Sequence, residues 1–374
     1  MTPRHLYLHV PFCIRRCSYC DFAVTVFPSP PGAEWVDAVV SELRRRARER
    51  GWETPWQLDT VYCGGGTPSL LGPGVMAELR ERLAELVWWD TVAEWTCEAN
   101  PESFTAEVAA GWRAAGVNRI SLGAQTFSEP ILRWMGRQHG PEGPAAAVAA
   151  ARSAGIDNVS IDLIFGLPRR LERDWREDLR RAAELAPEHV SLYGLTAESA
   201  TPLGRWVRDG RERLADESEY AAEYLEAVAA LEAADYRAYE VSNFARPGRE
   251  SRHNRAYWEG RAYLGLGSGA HSYVPPERWW NTRDWPEYAA RVRGGEETMA
   301  GREIVDGEAE SLEGLWLGLR RREGINASDL NPAQAALAAG WQDQGWARRG
   351  GARLCLTPEG WLRLDSLAVA LASA

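Results

Sequence analysis

Six short runs rich in β-branched and aromatic residues recur along the first half of the chain. They are "HLYLHV" (5–10), "LDTVYC" (58–63), "EWTCEA" (94–99), "VNRISL" (117–122), "NVSIDLIF" (158–165) and "EHVSLYG" (188–194). Between them the apolar residues fall at helical spacing, as in "EWVDAVVSELRRRARER" (34–50) and "PGVMAELRERLAELV" (73–87). Strand and helix alternating six times predict a parallel sheet with helices outside it. A complete eight-unit barrel takes roughly 250 residues. Six units ending near residue 200 therefore predict an α/β fold built on a partial (β/α)6 barrel. A doubly wound open sheet is the rival, but it favours a phosphate-binding glycine pattern after the first strand, and none stands there.

Past residue 200 the alternation loosens. A helix over 216–234 leads to a strand over 236–244. A Gly- and aromatic-rich stretch follows, "RHNRAYWEGRAYLGLGSGAHSYV" (252–274). From about 308 the pattern is mainly helical, with a hairpin "ARRGGARLCLT" before a last helix. Helix, helix, hairpin wing and helix resemble a winged-helix module. The expected division is a barrel core over 1–200, an extension over 201–305 and a small, winged-helix-like C-terminal domain over 306–374. The last helices are not basic enough for DNA, so packing or partner contact is the expected role of that domain.

Composition narrows the function. Hydrophobic residues make up 45% and charged residues 26% of 374, with a formal charge of −10. No basic field is available to hold nucleic acid. Every basic residue apart from histidine is arginine, which excludes Schiff-base, phosphate-loop and general-base lysines. The N-terminus lacks a secretory pattern and no apolar run approaches a membrane span, so a cytoplasmic protein with reduced thiols is expected.

Against that background the stretch "HVPFCIRRCSYCDF" stands out, because three of the six cysteines, Cys13, Cys17 and Cys20, crowd into eight residues. Three thiolates from one loop can hold three irons of a [4Fe–4S] cube and leave the fourth iron open to a non-protein ligand. Structural zinc would ask for a fourth protein ligand. Cys63 and Cys97 fall on predicted strands and Cys355 in the hairpin, where small core thiols are expected. His9 is the remaining zinc candidate.

Polar groups suited to an amino acid and a nucleoside recur at the ends of successive strands. After the second strand comes "GGGTPS", where bare main chain can approach a ligand or simply turn tightly. Glu98 ends the third strand, Gln125 follows the fourth and Arg137 lies beyond it. Asp162 places a charge inside an otherwise apolar strand, which is costly without a partner.

The C-x3-C-x2-C loop after the first strand of a βα repeat resembles the radical S-adenosylmethionine (SAM) superfamily. "YLHVPFC", "GGGTPS", "EANP", "RISLGAQTF", "GRQHG" and "IDLIFGLP" together resemble its coproporphyrinogen dehydrogenase-like branch over about residues 5–275. The resemblance implies that Cys13, Cys17 and Cys20 ligate the cluster. Tyr7, Gly65, Gly66, Thr67, Glu98, Gln125, Arg137 and Asp162 would line the SAM site, with Arg137 suited to the methionine carboxylate.

Two activities share this branch. One is oxygen-independent coproporphyrinogen III dehydrogenase, a radical oxidative decarboxylase. The other is heme chaperoning, in which heme is bound and delivered to client hemoproteins, soluble or membrane-associated. The dehydrogenase pattern carries a fourth cysteine two residues past the third, and Phe22 stands there in this chain. "HNRAYW" (253–258) resembles the H-N-x-x-Y-W motif of the heme chaperones. Both features favour the chaperone, with SAM either bound or cleaved, and a homodimer would suit delivery. His253 is the first candidate for an axial heme ligand, the alternative being a histidine hydrogen-bonded in a turn. His271 is a second candidate.

Overall fold

The structure is a computed structural model that describes residues 1–374. Its main sheet has twelve strands. The strands β1 (His5–Val10), β2 (Thr60–Gly65), β3 (Glu94–Ala99), β4 (Arg119–Gln125), β5 (Val159–Phe165) and β6 (His189–Gly194) lie side by side in chain order, all parallel. Unbroken chain order is barrel-type winding; a doubly wound sheet would reverse direction at a switch point. The sheet stays open. Beyond β6 come two antiparallel strands, β7 (Arg237–Glu240) and β8 (Asn243–Ala245), with β7 at the edge. The single strand predicted over 236–244 is thus split in two. On the other side β9 (Tyr263–Leu266) pairs parallel with β1. The sheet then continues antiparallel through β10 (His271–Val274), β11 (Glu277–Asn281) and β12 (Met299–Ile304).

The parity of each strand explains why its sequence alternates. Leu6, Leu8 and Val10, then Val61 and Cys63, Trp95 and Cys97, Ile120 and Leu122, Ile161 and Leu163, and Val190 and Leu192 are buried in one apolar cluster. This is the face under the helices, among them α1 (Gly32–Arg50), which buries Trp35, Val36, Val39, Val40 and Leu43. The opposite parity faces the barrel interior and is polar: Tyr7, Thr60, Tyr62, Thr96, Glu98, Ser121, Ser160, Asp162, His189 and Ser191. Cys63 and Cys97 sit directly opposite each other on the apolar parity, as core thiols.

The "HNRAYW" segment forms a short helix, α2 (Arg252–Trp258). Its first free N–H groups are met by the buried Glu94 carboxylate, which accepts from Arg252 and His253 N–H at 3.0 Å each. Glu94 opens β3, so the start of α2 is pinned at the N-terminal end of the barrel.

At the C-terminus α3 (Gly307–Arg320), α4 (Pro332–Asp343) and α5 (Leu364–Ala372) surround a three-stranded antiparallel sheet built on 347–350, 353–356 and a short third strand. Helix α3 is tied to α5 by Trp316 Nε1–H donating to Asp365 at 2.6 Å. It is tied to the barrel extension by Arg320, whose guanidinium lies 4.0 Å from the ring centre of Trp258 and 2.6 Å from the buried Glu240. No helix is long and apolar enough to cross a membrane.

Candidate cofactor site

The C-terminal ends of β1 to β6 open into one cavity of about 1030 Å³, at the upper limit of ordinary ligand pockets. Cys13, Cys17 and Cys20 line it. So do Tyr7, Gly65, Gly66, Thr67, Glu98, Gln125, Arg137 and Asp162. The three thiols share this wall, while no set of three or more His, Cys, Asp or Glu side chains is gathered to hold a single metal ion. His9 also lines the cavity, but it is committed elsewhere. Its Nδ1 pairs with Tyr7 Oη at 3.0 Å and its Nε2 with the Ala23 carbonyl at 2.8 Å.

The glycine run has a further reason to be bare. Gly66 N–H donates to Val10 O at 2.7 Å and Thr67 N–H to Phe12 O at 2.8 Å, zipping the end of β2 onto the segment that enters the cysteine loop. A Cβ on Gly66 would lie 2.6 Å from Phe12 O and 2.7 Å from Val10 O, main-chain atoms with no room to move. Gly65 has φ +109°, and a Cβ there would enter the His9 ring. Thr67 Oγ1 then meets Cys13 Sγ at 3.5 Å. Burial pushes the Cys13 thiol up to about 11, offset in part by Thr67. A cluster takes its cysteines as thiolates, so ligation would have to overcome that preference.

Glu98 accepts Tyr62 Oη–H at 2.7 Å and Gly65 N–H at 2.9 Å. Burial still raises it to about 7. Asp162 is held by Ser121 Oγ–H at 3.0 and 3.2 Å to its two oxygens, and burial raises its carboxyl as well. Arg137 donates to Asn100 Oδ1 at 2.7 Å and Gly123 O at 2.6 Å, and its Nη1 lies 3.9 Å from Cys17 Sγ. Its Nε is buried and has no partner. Gln125 sits at a bulge in β4 with φ +67°, and its Oε1 is likewise buried and unpaired. The strained turn is held from behind by Asp178, which accepts from Thr126 Oγ1–H and Phe127 N–H at 2.7 Å each. Two orphaned polar groups in one cavity are what a polar ligand would satisfy.

His253 does not reach this cavity. It is 1% exposed, with Nδ1 against Thr60 Oγ1 at 2.7 Å and Nε2 against Tyr257 Oη at 2.8 Å. Burial holds its imidazole well below the usual basicity. Both ring nitrogens are thus hydrogen-bonded within the fold, which is the alternative weighed against axial ligation, and neither points into the cavity. Helical spacing could have revealed this, since residues four apart on α2 face each other. Tyr257 and Trp258, one turn on, do line the cavity, as does His271. Sequence reasoning also passed over Tyr62, Asn100 and Ser121. Each lies in or beside a motif already singled out, and its strand parity with Glu98 or Asp162 was the available signal.

Residues 7–182 match the family model of the Radical SAM superfamily. The chain belongs to that superfamily, whose members use a [4Fe–4S] cluster and SAM. Over 369 residues it is 38% identical to heme chaperone HemW of Mycobacterium tuberculosis strain H37Rv, covering 98% of this chain and 94% of that relative. Over 275 residues it is 35% identical to HemW of Escherichia coli K12, covering 73% and 71% of the two chains. Within the superfamily, the chain is a member of the HemW family. The fold matches coproporphyrinogen III oxidase (HemN) from Escherichia coli with a TM-score of 0.83, covering 99% of this chain and 90% of that one at 22% identity.

Proposed function

We propose that this protein binds heme and hands it to client hemoproteins, with a [4Fe–4S] cluster and SAM held in the same cavity. The observation that carries this reading is identity to heme chaperones along almost the whole chain, joined to Phe22 where the dehydrogenase pattern has its fourth cysteine. Cys13, Cys17 and Cys20 would supply three thiolates to the cluster, with the guanidinium of Arg137 beside Cys17. The free Nε of Arg137 suits the carboxylate of SAM, and the unpaired Oε1 of Gln125 suits one of its N–H or O–H groups. Glu98 and Asp162 would take ribose hydroxyls or the amino group, and the bare main chain at Gly65 and Gly66 leaves room beside them. When bound, cluster and cofactor supply one-electron chemistry. The chain's own part is to hold, orient and shield them.

The test pairs two assays on anaerobically reconstituted protein. One follows hemin uptake and its transfer to an apo-hemoprotein. The other supplies SAM, a reductant and coproporphyrinogen III and measures porphyrin products. Uptake and transfer without porphyrin conversion is the expected outcome. Conversion over many turnovers would replace the chaperone reading with the dehydrogenase.

A further inference from the structure

Resting on the heme-chaperone reading, we propose that His271 supplies the axial nitrogen to heme iron, on an aromatic wall made by α2, β9, β10 and α3. Two of the six histidines, His9 and His271, line the large cavity. His9 has both ring nitrogens bonded within the fold. His271 is exposed into the cavity, free of the bonds that occupy His9 and His253.

The imidazole is nevertheless oriented. His271 on β10 stands directly opposite Trp280 on β11, and the two rings stack with centroids 5.7 Å apart and planes 24° from parallel. Such a cross-strand pair restricts the side chain's rotamers while leaving the ring edge open. Partial burial and the nearby guanidiniums of Arg278 and Arg283 hold the imidazole below its usual basicity, so the ligating neutral form prevails at neutral pH. Beneath the strand the turn is fixed by a buried network. Glu42 accepts from Gly267 N–H at 3.0 Å and from Asn281 Nδ2–H at 2.7 Å, tying β9 to β11 through α1.

The surroundings suit a flat, apolar, dianionic ligand. Tyr257 and Tyr263 pack edge to face, with Tyr263 directly across from Tyr273. Trp258 and Trp316 extend the wall from α2 and α3. Arg283 opens onto the same cavity; its Nη2 donates to the Asp21 main-chain carbonyl, while the nearest carboxylate, Asp21, is 3.9 Å away, so its other N–H groups are suited to a propionate. Arg278 is already paired with Glu303 and Glu313. Coordination requires no redox step: the imidazole lone pair enters an open position on iron, and no proton need leave.

The experiment is a hemin titration of the cluster-reconstituted full chain, read as a difference spectrum and by electron paramagnetic resonance. Wild type, His271→Ala, His253→Ala and Cys17→Ser are compared. In His271→Ala the imidazole-ligated spectrum should disappear and binding should weaken about tenfold or more. Free imidazole added to that variant should restore the spectrum, a readout that a structural defect would not give. His253→Ala, which loosens the wall through Tyr257, should bind more weakly but keep the imidazole-ligated type of spectrum. An unchanged spectrum in His271→Ala overturns the assignment while leaving heme binding intact. A thiolate-type spectrum lost only in Cys17→Ser overturns it in favour of the cysteine loop. Failure of wild type to bind hemin at all would instead remove the chaperone reading.

Discussion

Glu98 makes the proposed SAM site sensitive to pH in a calculable way. Its carboxyl is raised from 4.5 to about 7, chiefly by burial; Asp162 adds to the rise, while Tyr62, Gly65 and Arg119 oppose it. A ligand hydroxyl or ammonium gains most from the ionised form. With a midpoint near 7, about one-tenth of the carboxyl is ionised at about pH 6 and about nine-tenths at about pH 8. SAM affinity should therefore rise close to tenfold across that interval, where an ordinary glutamate would contribute nothing. Calorimetry on reconstituted wild type and Glu98→Gln reads this directly, and the variant also corrects for titration of the ligand's own amino group. The empty chain should show the opposite slope. A carboxyl raised in the folded state stabilises the fold below its unfolded value and loses that contribution as pH climbs through the folded value. The loss spans about pH 4.5 to about 7 and reaches roughly 3 kcal/mol at most. The SAM-free protein should thus melt lower at about pH 8 than at about pH 6. Equal slopes of affinity in wild type and Glu98→Gln would refute the reasoning.

Cys17→Ser should abolish the broad visible absorption acquired on anaerobic reconstitution; full iron and sulfide content in the variant would remove Cys17 as a ligand. Gly66→Ala should be severe, because its Cβ meets main-chain oxygens at 2.6 and 2.7 Å and forces the end of β2 away from the cysteine loop. We expect a lowered melting temperature together with poor cluster incorporation, and wild-type values for both would contradict this account. His253→Ala strands the Tyr257 hydroxyl and leaves Thr60 only its His5 partner, so about 1–3 kcal/mol of stability should be lost in chemical denaturation.

The barrel was legible because every strand carries its period in the open. Leu6, Leu8 and Val10 alternate with His5, Tyr7 and His9, and the same two-residue beat repeats through β6. Six such strands separated by helical spacing leave few topologies. The site was legible for a related reason: strands that read polar on their second parity must face either water or a ligand. Asp162 looked like an isolated anomaly in one apolar strand, yet it belongs to a whole inward face with Ser121, Glu98 and Tyr62. The antiparallel extension, β9 to β12, was not legible. Its strands are short, glycine-interrupted and aromatic, and their pairing is set by contacts with β1 and by the buried Glu42 network. Neither constraint leaves a local mark.

The contrast between His253 and His271 carries the same lesson into function. His253 stands first in a recognisable hexapeptide, but on a helix a histidine four residues before a tyrosine pairs with it, and Glu94 anchors that helix at the N-terminal end of the barrel. The motif therefore reaches the cavity only through its far end. By fixing Thr60, His253 and Tyr257 in one hydrogen-bonded line, it sets Tyr257 and Trp258 into the cavity wall, where Arg320 closes over Trp258 from α3. His271 belongs to no such pattern. Its availability depends on Trp280, distant by a hairpin, and on a turn held by α1. On the proposed reading the motif builds the wall, and His271, steadied by Trp280 with its ring nitrogens free, is the group left to bind.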